Sequence, residues 1–140
     1  MKVVLTFFLA ALIGNANMKT YDLTITIPNI KNTNGGVHVS VYSSKNKASF
    51  TKIGQEFKVL DFKTEGANGK YVIKNLPEGE YAVAIYHDEN GDKKCNTNMI
   101  GIPKEGYGFT RLDKIWSMPK FDDCKVLLNK NLSVPINLIY

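Results

Sequence analysis

Hydrophobic and polar residues alternate along most of the chain, in short runs separated by Gly, Asn, Pro and Lys. Apolar residues take every second position in Tyr21–Ile27 and again in Val37–Val41, so each run predicts a strand with one buried face. Two further runs, Glu56–Lys63 and Lys70–Asn75, flank the turn-rich segment 64–69 and predict a hairpin. No long helical period interrupts them, so the pattern predicts an all-β fold.

Two later runs refine this prediction. In Tyr81–Tyr86 both faces are apolar, which predicts a central strand, and the turn Pro77–Gly79 precedes it. The last run, Leu132–Tyr140, contains Pro135, which has no amide hydrogen for a ladder and therefore predicts an edge strand. Seven or eight strands of this length pack best as an antiparallel β-sandwich.

The segment Ile102–Cys124 is long and irregular, and it carries four large aromatic rings. These are Tyr107, Phe109, Trp116 and Phe121. A loop of this length is usually functional or disordered, and the rings argue against disorder because they bury enough surface to offset part of the ordering entropy. We expect this loop to fold over one end of the sandwich. Tyr107, Phe109 and Trp116 either form a ligand-binding platform or make a small satellite core under the loop.

Residues 1–16 have the features of a secretory signal. Lys2 precedes the apolar run Val3–Ile13, and small residues lead to a predicted cleavage after Ala16. The apolar run is too short to span a bilayer as a helix, so we expect no membrane span. The remaining single domain, residues 17–140, is then secreted or periplasmic. The alternative is a buried N-terminal helix.

The charge of the chain does not indicate a nucleic-acid partner. Without Lys2 the net charge of +5 becomes +4, and the lysines are scattered through strands and loops. Arg111 is the only arginine, and no pattern of aromatic and arginine residues suited to stacking bases occurs. We therefore expect no nucleic acid as a partner.

The segment that follows the predicted central strand places oxygen ligands at alternate positions. Places one, three, five, seven and nine of this loop belong to Asp88, Asn90, Asp92, Lys94 through its carbonyl, and Asn96. Calcium loops often present their ligands in this order. Met99 replaces the acid expected at place twelve of an EF-hand, so any site would be a shorter and weaker calcium loop. The alternative is a plain turn at Asn90–Gly91 in which Asp88 accepts hydrogen bonds from nearby backbone amides.

Other chemistry is poorly supported by the sequence. A zinc site made of soft sulfur ligands would need more cysteines than the two in the chain. Glu105, Asp122 and His87 are the candidates for a small hydrolase of the cell envelope, but none has a partner at a spacing known for acid and base catalysis. A non-enzymatic module is therefore the preferred interpretation. Cys95 and Cys124, an even count in an oxidising compartment, form either one disulfide or two separate buried thiols.

Three motifs stand in a fixed order along the chain, in Leu76–Asn90, Gly101–Phe109 and Pro119–Asp123. Together they resemble the bacterial exported family called domain of unknown function 2141, over nearly the whole mature chain. The resemblance implies an immunoglobulin-like sandwich of the transthyretin or carboxypeptidase-regulatory type, and it brings no established activity. Cys95 and Cys124 depart together from the family pattern, which implies a disulfide that pins the ion loop to the end of the aromatic segment.

These features predict an exported β-sandwich that acts as a binding or accessory module of the cell envelope. Its partner would be a protein or carbohydrate ligand, and calcium is its candidate cofactor. Asn96 stands where the family tends to have Asp, which removes one charge from the candidate calcium site.

Overall fold

A computed structural model describes residues 17–140, which form eight strands in two sheets. The strands are β1 Thr20–Thr26, β2 Gly36–Ser43, β3 Lys58–Lys63, β4 Lys70–Pro77, β5 Gly79–Asp88, β6 Tyr107–Phe109, β7 Val126–Leu128 and β8 Leu132–Pro135. The helical elements are a 3-10 segment, Ser44–Ser49, and one short helix, α1 Phe121–Cys124. The predicted all-β sandwich is confirmed. The predicted signal segment lies outside the described residues.

One sheet has three strands in the order β4-β1-β8, and the other has the order β3-β2-β5-β6, with β7 also paired to β5. The predictions that the Tyr81–Tyr86 strand is central and that the Pro135 strand lies at an edge are confirmed. The predicted hairpin is wrong, because β3 pairs with β2 in one sheet and β4 pairs with β1 in the other. The sandwich is mostly antiparallel, as predicted, but β1 and β8 run parallel. The chain enters β8 after crossing from the other sheet, and such a crossing does not impose the antiparallel pairing of a tight hairpin.

The main core lies between the two sheets, where the inward-facing residues of β1, β2, β4 and β5 meet. Residues at alternate positions of these strands are almost fully buried, as the period-two pattern requires. They include Leu23, Ile25, Val37, Val39, Val41, Ile73, Val83 and Ile85. The buried faces of β1 and β2 were thus correctly predicted.

The other face of β5 is covered by a second cluster, which we define as Tyr42, Phe50, Ala82, Phe121 and Cys124. The ring centroid of Phe50 lies 5.2 Å from that of Tyr42 and 6.1 Å from that of Phe121. Edge-to-face contacts of this kind stabilise aromatic clusters beyond the area they bury. This cluster explains why both faces of β5 are apolar in the sequence.

The long aromatic segment is mainly irregular, as predicted, but it contains β6 and α1. We expected it to cover one end of the sandwich. Instead β6 pairs with β5 at Tyr86 and Tyr107, and Phe121 packs in the second cluster on the outer face of the sheet. Among residues 17–140, no helix is long and apolar enough to cross a bilayer.

Candidate functional site

The pairing of β5 with β6 brings two acids from distant parts of the sequence to one place. Tyr86 faces Tyr107 in the antiparallel ladder, and the amide of His87 donates to the carbonyl of Gly106 over 2.7 Å. Continuing this register by two residues sets Glu105 opposite Asp88. Side chains directly opposite each other on neighbouring strands lie within about 5 Å at their Cβ atoms.

Asp92 joins this pair because the loop after β5 turns back on itself. Asp88, Asp92 and Glu105 each offer a carboxylate oxygen, and the three oxygens lie within 4.8 Å of one another. Two oxygens that both bind one calcium ion at about 2.4 Å can be at most about 4.8 Å apart. Asp88 is 7% exposed and Glu105 is 6% exposed, so two of these acids are shielded from water. The cluster therefore has the spacing of a calcium site.

The side chain of Glu105 is only half satisfied by the protein. Its Oε2 accepts a hydrogen bond from the amide of Asn96 over 3.3 Å, whereas its Oε1 is buried without a hydrogen-bond partner. Within residues 17–140, no lysine, arginine or histidine forms an ion pair with Asp88, Asp92 or Glu105. Burying carboxylates together without a positive partner is unfavourable, so this arrangement favours the binding of a cation.

The hydrogen bonds of the plain turn are also present in the loop. Asp88 accepts from the amides of Asp92 and Lys93 over 3.1 and 2.9 Å, and Asn90 Oδ1 accepts from the Asp92 amide over 3.0 Å. Lys93 has a φ of 58°, in the left-handed region, which lets the chain fold back over Asp88. These bonds shape the turn, but they leave Glu105 Oε1 without a partner.

Asp92 is held in place by its neighbours. Its two carboxylate oxygens accept hydrogen bonds from the Asn96 side-chain amide and from the Lys94 backbone amide, each over 2.9 Å. The hydrogen bond from Asn96 is the largest cause that lowers the pKa of Asp92 below its ordinary value. The carboxylate of Asp92 is thus kept ionised, as a metal ligand requires.

The structure brings Asp88 and Asp92 together. The other predicted ligands form hydrogen bonds within the loop. Asn90 Oδ1 and the Lys94 carbonyl accept hydrogen bonds from the loop, and the Asn96 side chain donates to Asp92 and to Lys94. A cleft of about 440 Å³ opens beside these groups. Its lining consists of Glu89, Asn90, Asn96, Thr97, Lys104 and Glu105.

Glu105 is the site residue that sequence reasoning missed, because it was considered only as a catalytic candidate. The ion loop lacks an acid at place twelve, where Met99 stands, so a further carboxylate must come from elsewhere. The sequence signal was the motif Gly101–Phe109, which directly follows the loop and contains Glu105. The motif alone does not show that Glu105 lies beside Asp88, because that position follows from the pairing of β5 with β6.

The three candidates for hydrolysis occupy different surroundings. His87 is fully buried; its Nε2 contacts the Asn34 carbonyl at 2.9 Å and its Nδ1 contacts the Tyr140 hydroxyl at 3.2 Å. The Asn34 carbonyl can only accept, so Nε2 carries a hydrogen, and both ring nitrogens have structural partners. Asp122 lies on α1 and pairs with Lys125 over 3.3 Å. Glu105, His87 and Asp122 are therefore not brought together as acid, base and nucleophile.

The proposed aromatic platform is divided between two places. The rings of Tyr107 and Phe109 are 6.4 Å apart, and Phe109 lies 5.9 Å from Phe50 of the second cluster. Trp116 is 91% exposed, and in the described part of the chain it stacks with neither ring. Tyr107 and Phe109 thus belong to the packed outer face of the sheet, and Trp116 stands apart from them.

Cys95 and Cys124 are free thiols in the structure, which therefore does not show the predicted disulfide between them. Cys124 is enclosed in the second cluster, where burial raises its pKa to about 12. Cys95 lies in the ion loop, where burial first and the charge of Glu105 second raise its pKa above the ordinary value. Each cysteine thus belongs to a different local environment, Cys124 to the second cluster and Cys95 to the ion loop.

Comparison with known proteins identifies the family of the chain. The chain matches no curated protein and no solved structure. A family model described as an uncharacterized protein conserved in bacteria, DUF2141, matches residues 25–135, which run from within β1 to the end of β8 and include the whole acidic site. The protein therefore belongs to the DUF2141 family.

Proposed function

We propose that this protein is a non-enzymatic, exported β-sandwich module of the bacterial cell envelope that binds Ca²⁺ between the β5 and β6 strands. One observation carries the proposal. Glu105 Oε1 is buried without a hydrogen-bond partner, and a carboxylate oxygen of Glu105 lies within 4.8 Å of carboxylate oxygens of Asp88 and Asp92. A bound cation would satisfy that oxygen and offset the repulsion among the three carboxylates.

The chemistry of the donors favours calcium over other divalent cations. The three converging ligands are all carboxylates, and oxygen ligands suit hard cations, whereas zinc prefers nitrogen and sulfur. Asn90 Oδ1 and the Lys94 carbonyl are further oxygens of the same loop. Calcium accepts six to eight oxygens in flexible geometry, whereas Mg²⁺ requires a near-ideal octahedron and keeps several waters.

The location of such a site in an exported protein also fits calcium. Residues 1–16 support export through their secretory signal pattern. Extracellular calcium modules bind with dissociation constants of about 0.1 to 1 mM. A site with three carboxylates, two of which are buried, belongs in this range. The ion would then tie the loop after β5 to the start of β6.

The test is a pair of thermal melts of the purified protein, first with chelator and then with Ca²⁺ at about 10 mM. Because the ion binds the folded state, this concentration should stabilise the wild type by about 1.4 to 2.7 kcal/mol, which is a rise of several degrees in Tm. Mg²⁺ at the same concentration should have a smaller effect. Calorimetric titration provides the dissociation constant directly.

Glu105→Gln gives this test two opposite readouts. In chelator the variant should be as stable as the wild type or more stable, because it removes a buried charge. With Ca²⁺ it should lose most of the rise in Tm, because the ion loses a carboxylate. Glu78→Gln is the matched control, since Glu78 is exposed and lies outside the acidic cluster. A Glu105→Gln variant that keeps the full calcium response would refute the proposed site.

A further inference from the structure

The loop beyond the acidic site exposes three large apolar side chains, which we call the apolar tip: Met99, Ile100 and Ile102. Met99 is 104% exposed and Ile100 is 79% exposed, so neither packs against the rest of the protein. Single exposed apolar residues are common on protein surfaces, but three within four positions at one loop indicate an interaction site.

The apolar tip is held in one shape by hydrogen bonds. The side-chain oxygen of Asn98 accepts from the amides of Ile100 and Ile102 over 3.0 and 2.9 Å. The Asn98 amide donates to the Ile102 carbonyl over 2.8 Å, and Thr97 forms a bridge with Pro103. The loop therefore presents its apolar side chains without a further loss of backbone entropy on binding.

The same loop is joined directly to the acidic site. The amide of Lys104 donates to the carbonyl of Asn96 over 2.7 Å, and the amide of Asn96 donates to Glu105. Any cation that binds Glu105 therefore acts at the base of the loop that carries the apolar tip.

The charge around the apolar tip depends on the cation. Between residues 88 and 105 the chain carries four carboxylates and three lysines, which gives a net charge of −1, and one bound Ca²⁺ changes it to +1. The lysines are Lys93, Lys94 and Lys104. All three are exposed, and none forms an ion pair within residues 17–140. A calcium-bound loop thus combines an apolar tip with exposed lysines and a net positive charge.

We propose that the apolar tip docks on an anionic lipid bilayer when Ca²⁺ is bound. This inference rests on the proposed calcium site, since the ion supplies the change of charge. Apolar side chains enter the boundary between headgroups and acyl chains, while lysines are attracted to the anionic headgroups. Each contribution is weak alone, and stable membrane binding generally needs two such signals together. The three lysines complement the negative lipid surface, which selects a bilayer as the partner.

The test measures sedimentation of the protein with vesicles of phosphatidylglycerol mixed with phosphatidylcholine, in Ca²⁺ and in chelator. We expect binding in Ca²⁺ and at least tenfold weaker binding in chelator or to phosphatidylcholine alone. Binding to the mixed vesicles should also weaken as salt is added, because the attraction of the lysines is screened. Vesicle binding that is equally strong in chelator and in Ca²⁺ would overturn the proposal.

A double variant, Met99→Ser with Ile100→Ser, tests the apolar tip itself. It should bind the mixed vesicles at least tenfold more weakly in Ca²⁺ than the wild type does, because it removes two of the three inserting side chains. Its Tm should not change, because neither side chain is packed. Trp116→Ser is the matched control, since Trp116 is 91% exposed on another loop and should leave calcium-dependent binding intact. An equal loss in both variants, or no loss in the double variant, would overturn the assignment.

Calorimetric titration of Ca²⁺ without vesicles separates the two proposals. A wild-type protein that binds Ca²⁺ in solution but not the mixed vesicles leaves the calcium site intact and overturns lipid docking. A protein that does not bind Ca²⁺ in solution overturns both. The double variant at positions 99 and 100 should bind Ca²⁺ in solution as the wild type does, because its substitutions lie outside the acidic cluster.

Discussion

The central strand β5 is buried at both of its ends, but by opposite kinds of chemistry. Near its start, Ala82 lies in the second cluster with the rings of Phe50 and Phe121. At its end, Asp88 lies opposite Glu105, and the buried Glu105 Oε1 has no partner in the protein. The chain completes the first environment with its own side chains. In the second environment no side chain of the described residues forms an ion pair with the acids, and we propose that Ca²⁺ supplies the positive charge.

This difference has a thermodynamic consequence. Burial of apolar surface in the second cluster stabilises the fold whatever the ions in solution are. The carboxylates at the other end should destabilise the fold when they are alone, and at the proposed calcium site they should stabilise it when Ca²⁺ is bound. The two ends of one strand should therefore respond differently to mutation, to Ca²⁺ and to pH, and each response can be measured separately.

The largest expected effect is at the apolar end. Phe121 is almost fully buried, and Phe121→Ala should lower the free energy of unfolding by about 3 to 5 kcal/mol, because it leaves a cavity against Phe50. Urea unfolding in chelator and in Ca²⁺ gives the measurement. The loss should be the same in both solutions. If Ca²⁺ reduced the loss of stability caused by Phe121→Ala, the two ends of β5 would be coupled instead of independent.

The sequence predicted the apolar end better than the acidic end, for a physical reason. The alternation in Tyr81–Tyr86 is local, and it correctly indicated a strand with two covered faces. The spacing of Asp88 and Asp92 is also local, and the structure brings this pair together. Glu105 arrives through the register of β5 with β6, which no local pattern specifies.

Two other differences have the same origin. The parallel pairing of β1 with β8 depends on where the chain crosses between sheets, and Pro135 indicates only that its strand lies at an edge. The even number of cysteines says nothing about their separation in the fold, and Cys124 is a free thiol that packs in the second cluster. Properties that depend on contacts between distant residues were therefore the ones that the sequence left open.

A smaller effect is expected from a glycine that supports the acidic end. Gly35 has a φ of 62°, and a Cβ atom there would lie 1.8 Å from the carbonyl oxygen of Asp88. Gly35→Ala must therefore move the end of β5 as well as strain its own backbone, and we expect a loss of about 2 kcal/mol or more in stability. Chemical unfolding gives the stability, and a calcium titration should show weaker binding because Asp88 is displaced.

Gly54→Ala is the matched control for the backbone strain. Gly54 has a φ of 84°, and nothing lies within 4 Å of the Cβ atom that alanine would add. Its substitution should cost about 1 kcal/mol and leave calcium binding unchanged. Equal losses in the two variants would mean that the close approach of Gly35 to Asp88 does not constrain the acidic end.

The smallest effect is a loss of stability at alkaline pH that comes from the apolar end. Burial raises the pKa of Cys124 to about 12, whereas an unfolded cysteine has a pKa of about 8.5. Below the unfolded pKa of about 8.5 the thiol is protonated in both the folded and the unfolded state, and the full stability is present. As pH rises above the pKa of the unfolded cysteine, only the unfolded state releases the proton. The free energy of unfolding therefore falls by about 1.4 kcal/mol by pH 9.5.

Urea unfolding in reductant at pH 7.5 and pH 9.5 would isolate this contribution of about 1.4 kcal/mol when the wild type is compared with Cys124→Ala. The variant should lose less stability over this interval, although it starts from a lower value because of the small cavity. Cys95→Ala is the control from the acidic end, where the thiol is half-buried and its titration should matter less. If Cys124→Ala and the wild type lose the same stability, the Cys124 thiol is exposed to water in the folded protein. The side chains of the second cluster would then not bury the apolar end of β5.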